Sequence, residues 1–103
     1  MKSRTIYDWY NALVPTMNLL SEKNIRIWEF HDDQRGYGFN AILDDFFIRV
    51  FIAFDIDDNT EYVITKETMT GNILCGKQLD CVETKDANKV FDIINDLIEK
   101  KGE

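Results

Sequence analysis

One proline, one histidine, two cysteines and five scattered glycines leave this 103-residue chain short of the residues from which recognisable sites are built. His31 stands without a cysteine cluster, which excludes a structural zinc site, and no spacing suggests a Ser-His-Asp or Cys-His nucleophile. Cys75 and Cys81 are too few for a disulfide scaffold and wrongly spaced for a redox pair or zinc knuckle, so two reduced thiols are expected. No glycine-rich phosphate loop is present; Gly36-x-Gly38 reads as a turn between strands. With so little proline and glycine nothing reads as a linker, and residues 1–103 are expected to form one domain.

Long apolar runs are missing too. The longest, Phe46 to Phe54, spans nine residues and contains Arg49, too short and too charged to cross a bilayer. Asp8 and Asn11 interrupt any signal-peptide core near the start. The expectation is a soluble, cytoplasmic protein with no cofactor and no metal. A hydrophobic content of 45%, with 13% aromatics, places the chain well above the disordered range.

What the chain has in excess is negative charge, unevenly placed. The net charge is −7, and residues 29–67 alone hold ten carboxylates against Arg35, Arg49 and Lys66. Such a field repels nucleic acid and anionic membrane and attracts basic protein surfaces. Asp55-x-Asp57-x-Asn59 begins like a calcium-binding EF-hand loop. Thr60 and Lys66 stand where that loop needs glycine and a bidentate glutamate, and the flanks read as strands, which excludes it. The adjacent pairs Asp32-Asp33, Asp44-Asp45 and Asp57-Asp58 fall at strand ends, where neighbouring side chains diverge, so they read as solvated turns rather than acid–base pairs. No enzyme is expected.

Periodicity organises the rest. Ile6, Trp9, Tyr10, Leu13, Val14, Met17 and Leu20 form one helical stripe between Thr5 and Glu22. Pro15 predicts a kink or two short helices, with Pro15 opening the second. Strands are predicted over 25–31, 39–43, 46–54, 61–70 and 73–82. The third has apolar residues on both faces and is expected to be central, the fourth more exposed. A helix from Lys85 to Lys101, capped by Thr84 or Asp86, closes the chain. The predicted fold is α+β: an antiparallel β-meander of about five strands with an N-terminal and a C-terminal helix packed on it.

Carboxylates along strand ends can occupy the Lys/Arg groove of a nucleic-acid enzyme in place of phosphates. In size, in charge and in lacking an active-site motif, the chain resembles small inhibitors encoded by phages and mobile elements, anti-CRISPR proteins among them. The resemblance is one of composition and transfers no residue. It implies inhibition of a basic nuclease or CRISPR effector, without direct nucleic-acid or membrane binding. The contact residues expected are Asp32, Asp33, Asp44, Asp45, Asp55, Asp57, Asp58 and Glu61, divided between the two ends of the sheet. Toxin immunity is physically the same reading. The alternative is an adaptor similar to secretion-chaperone-like domains, often a homodimer, binding through an apolar sheet face that includes Phe47 and Phe51.

Overall fold

The computed structural model describes residues 6–32, 36–53, 60–69 and 77–99. The chain opens with two short helices, α1 (Ile6–Asn11) and α2 (Val14–Glu22). The helical stripe breaks at Ala12-Leu13, and Pro15 sits in the first turn of α2, where its missing N–H has no helical partner to lose. This is the second of the two arrangements Pro15 allowed.

The end of α2 is fixed by a Schellman motif. Asn24 takes the left-handed conformation (φ 65°), its N–H donates to the Ser21 carbonyl (3.0 Å), and Ile25 N–H donates to the Leu20 carbonyl (3.1 Å). Leu20 and Ile25 both join the core, so this turn delivers the chain straight into the first strand.

Five strands follow: β1 (Arg26–Asp32), β2 (Gly36–Ile42), β3 (Phe46–Ala53), β4 (Glu61–Thr68) and β5 (Gln78–Thr84). They form one antiparallel sheet in the order β1-β2-β3-β4-β5, with β3 in the middle. The last helix, α3 (Ala87–Glu99), has Asp86 at its start: the Asp86 carboxylate accepts the Asn88 N–H at 2.9 Å. This is the predicted α+β meander.

Three expectations need correction. Gly36 and Gly38 belong to β2 rather than to a turn. A Cβ at Gly38 would run into the Val50 carbonyl and the Phe51 backbone, with the Phe30 ring 3.0 Å away, so glycine is demanded inside this strand. The fourth strand is not the exposed one: Tyr62 to Lys66 are all buried, because β4 lies between β3 and β5 and α3 packs on it. The fifth strand runs on to Thr84, two residues beyond its expected end. The expected start of that strand at Ile73, the Gly71-Asn72 turn, the Thr5 cap, and Cys75 lie outside the described residues.

The three described helices all contribute to one core on one face of the sheet. Tyr10, Leu13, Met17, Leu20, Val90, Ile94 and Leu97 close over Phe39, Ala41, Ile48, Val50, Ile52, Tyr62 and Ile64. Burial of each large apolar side chain contributes roughly 1.5–3 kcal/mol, so this layer carries the stability. Tyr62 spans it, donating its hydroxyl to the Trp9 carbonyl (2.9 Å) while its ring packs 5.2 Å from Trp9. No described helix is long and apolar enough to cross a membrane.

Candidate protein-binding surface

Because side chains alternate along a strand, the register fixes what lies on the sheet face opposite the helices. One row across it runs Phe30, Gly38, Phe51, Val63, Glu83; the next runs Trp28, Asn40, Arg49, Thr65, Cys81. A third holds Arg26, Ile42, Phe47 and Glu67. No described helix covers this face.

Its middle is a closed polar network. Arg49 Nε donates to Asn40 Oδ1 (3.2 Å), its guanidinium lies 3.7 Å from the Glu67 carboxylate, and Thr65 donates its hydroxyl to Glu67 (2.8 Å). The same guanidinium sits 5.2 Å from the Phe47 ring centroid, and Phe47 is fully buried. Phe47 therefore cannot serve as the adaptor contact expected of it, and Phe51 is half-buried. Among the described residues the exposed aromatic is instead Trp28, at 59% of its accessible surface, on edge strand β1. An exposed tryptophan is a common anchor of protein contacts.

Acidic residues stand at the two ends of the sheet. Asp44 and Asp45 are exposed in the β2–β3 hairpin, which the Leu43 N–H closes onto the Phe46 carbonyl (3.0 Å). Asp32 ends β1 and Glu61 begins β4, both at the opposite end of the sheet. Three strand spacings separate them, about 14 Å at ~4.8 Å each. Asp33, Asp55, Asp57 and Asp58 lie outside the described residues. Among the described residues the backbone positions of Asp32 and Glu61 thus fall at one end of the sheet, and those of Asp44 and Asp45 at the other.

The fold adds acidic residues that charge counting along the chain had passed over. Asp92, Asp96 and Glu99 are exposed on α3, and their i, i+4, i+7 spacing was the available signal. Asp96 and Asp80 line a depression of about 210 Å³ between α3 and β5, floored by Val82, Ile93 and Leu97. A larger, open depression of about 730 Å³ lies at the start of α3, whose end is already occupied by the Asp86 carboxylate. Among the described residues no three His, Cys, Asp or Glu side chains converge as metal ligands would.

Cys81 is an exposed free thiol on β5. Partial burial of its sulfur, then the charges of Glu83 and Asp80, raise its pKa above the ordinary thiol value. Less of it is thiolate near neutrality, the opposite of an activated nucleophile. No protein family, curated protein or solved structure matches this chain, so its function must be argued from this geometry.

Proposed function

We propose that this protein is a small non-enzymatic domain that binds and inhibits a basic, nucleic-acid-handling protein in the cytoplasm. The observation that carries the reading is the exposed Trp28: the described helices take one sheet face, and the other, buried at Phe47, Val63 and Thr65, presents Trp28 on its β1 edge between ends where acidic residues stand. The strands are seven or eight residues long, so the two acidic ends stand about 20–25 Å apart at ~3.3 Å per residue. That span matches several successive phosphates of a nucleic-acid backbone, and a groove built for phosphates would accept it. The carboxylates steer association, while Trp28 supplies the desolvated anchor that charge alone does not.

Capture from bacterial lysate on the tagged protein tests this, with elution by stepped salt, nuclease treatment, and competition by duplex DNA. A basic nucleic-acid enzyme displaced by moderate salt and by DNA supports the reading. A captured partner indifferent to DNA argues for the adaptor, which the apolar part of the same face (Trp28, Phe30, Phe51) favours. Recovery of nothing basic that salt or DNA displaces removes the inhibitor reading.

A further inference from the structure

Between α3 and edge strand β5 lies the depression of about 210 Å³, on the helix side of the sheet and at the edge away from Trp28. Its floor is apolar, with Val82 from the strand and Ile93 and Leu97 from the helix. Ile93 and Leu97 are four residues apart and so share one flank of α3. Val82 pairs with the buried Ile64, which puts it on the sheet face that meets this flank. Leu97 is buried, whereas Val82 and Ile93 are only half-buried although they line the floor.

The rim is acidic. Asp96 is exposed beside the helix half of the floor, with Asp92 one turn before it and Glu99 at the end of the helix. Asp96 lies in the last turn of α3, where the helix dipole adds to its attraction for a cation. Asp80 lines the strand side, but its carboxylate is already engaged, accepting the Cys81 N–H (2.9 Å), so selection falls to Asp96.

Size and chemistry restrict the occupant. Sites that enclose a drug-sized molecule run to roughly 300–1,000 Å³, so this depression has room for a side chain rather than a free ligand of that kind. An acidic side chain is repelled by the rim and by a net charge of −7. A wholly apolar one would desolvate the rim carboxylate without giving it a partner. A basic side chain meets both demands, because its methylene stem lies along apolar surface while its charged head stays at the rim. Arginine suits the site better than lysine: its guanidinium is more weakly hydrated, and its fork matches a carboxylate with two hydrogen bonds.

We infer that this depression is a docking pocket for one arginine side chain of a protein partner, its stem on Val82, Ile93 and Leu97 and its guanidinium on the Asp96 carboxylate. The pocket is separate from the Trp28 surface, on the other face and at the other edge of the sheet, and does not depend on the proposed function.

The probe is N-acetylargininamide, titrated at millimolar concentration into the isotope-labelled protein and followed by methyl NMR shifts. Its controls are N-acetylnorleucinamide (a stem without charge), guanidinium chloride (a head without stem) and N-acetyllysinamide. The expected result is saturable shifts at the Val82, Ile93 and Leu97 methyls with the arginine probe, and weaker binding of all three controls. Asp96→Asn, an exposed substitution, should weaken the arginine probe about threefold or more. Glu22→Gln removes the same charge at the end of α2, on the flank of α3 opposite the pocket, and should leave binding unchanged. Absence of localised shifts would overturn the inference, and so would equal binding of the norleucine probe, of guanidinium or of the lysine probe. Equal weakening in Asp96→Asn and Glu22→Gln would reduce the effect to general attraction by an acidic chain and would overturn it as well.

Discussion

Asn24 holds a positive φ at the point where α2 hands the chain to β1, and a side chain with a Cβ is strained there unless it can bond locally as asparagine does. Asn24→Gly should leave stability unchanged or raise it by a few tenths of a kcal/mol, whereas Asn24→Val should cost about 1–2 kcal/mol. Urea unfolding of the two variants checks the sign of each. Gly38 is the stricter position, since the obstacle to a Cβ is backbone on the neighbouring strand rather than a movable side chain. Gly38→Ala should destabilise by about 1–3 kcal/mol and shift the amides of Phe30 and Phe51, which flank it across the sheet. Cys81 offers a prediction in pH. Its raised pKa delays thiolate formation, so in a Cys75→Ser background its alkylation rate should climb only at pH values above those of a free thiol. Glu83→Gln removes one of the neighbouring charges and should quicken alkylation at pH 8; an unchanged rate would remove Glu83 as a cause.

At the scale of elements, α3 is held at both ends by contacts of different kinds. Asp86 caps its first turn, and Asp86→Ala should cost about 0.5–2 kcal/mol in chemical denaturation. Near its last turn the buried Lys66 ammonium donates to the Leu97 carbonyl (2.9 Å) and lies 4.4 Å from the Phe46 ring centroid, so a strand lysine secures the negative end of the helix. Lys23 ties α2 to α3 through Asn95 (2.9 Å) and the Phe91 ring. Lys66 also shows where sequence patterning ends. A lysine in EYVITKETMT suggests an exposed strand, because periodicity cannot reveal that a helix terminus will arrive to solvate the charge. Gly38 misled for a related reason: glycine weakens a strand locally, and the need for it comes from β3, reached only through tertiary pairing. The elements whose signals are local, the α3 stripe, the β3 run and the Pro15 break, were legible with boundaries off by a few residues. Phe47 was chosen as an exposed aromatic on face alternation alone, which carries no information about the Arg49 guanidinium lying against it.

For the molecule as a whole, the central asymmetry is that the described helices all pack on one face of the sheet, while Trp28 stands exposed on the edge of the other. The meander order places Asp32 and Glu61 at one end and Asp44 and Asp45 at the other, and short connections made that division readable from the chain. Whether the helices share a face was not readable, since the apolar residues on both sides of β3 fit either arrangement. Exposed turn carboxylates contribute little to stability, so Asp44→Asn with Asp45→Asn should leave the unfolding midpoint nearly unchanged while slowing association with a basic partner and flattening its salt dependence. Two exposed apolar side chains mark the two sheet edges, Trp28 on β1 and Leu79 on β5. The most direct measurement is therefore capture of the basic, DNA-displaceable partner by wild type, Trp28→Ser and Leu79→Ser in parallel, each first shown to be folded by circular dichroism. Loss of capture by tenfold or more in Trp28→Ser, with Leu79→Ser equal to wild type, is the result predicted here. Undiminished capture by Trp28→Ser, or loss confined to Leu79→Ser, would contradict the account.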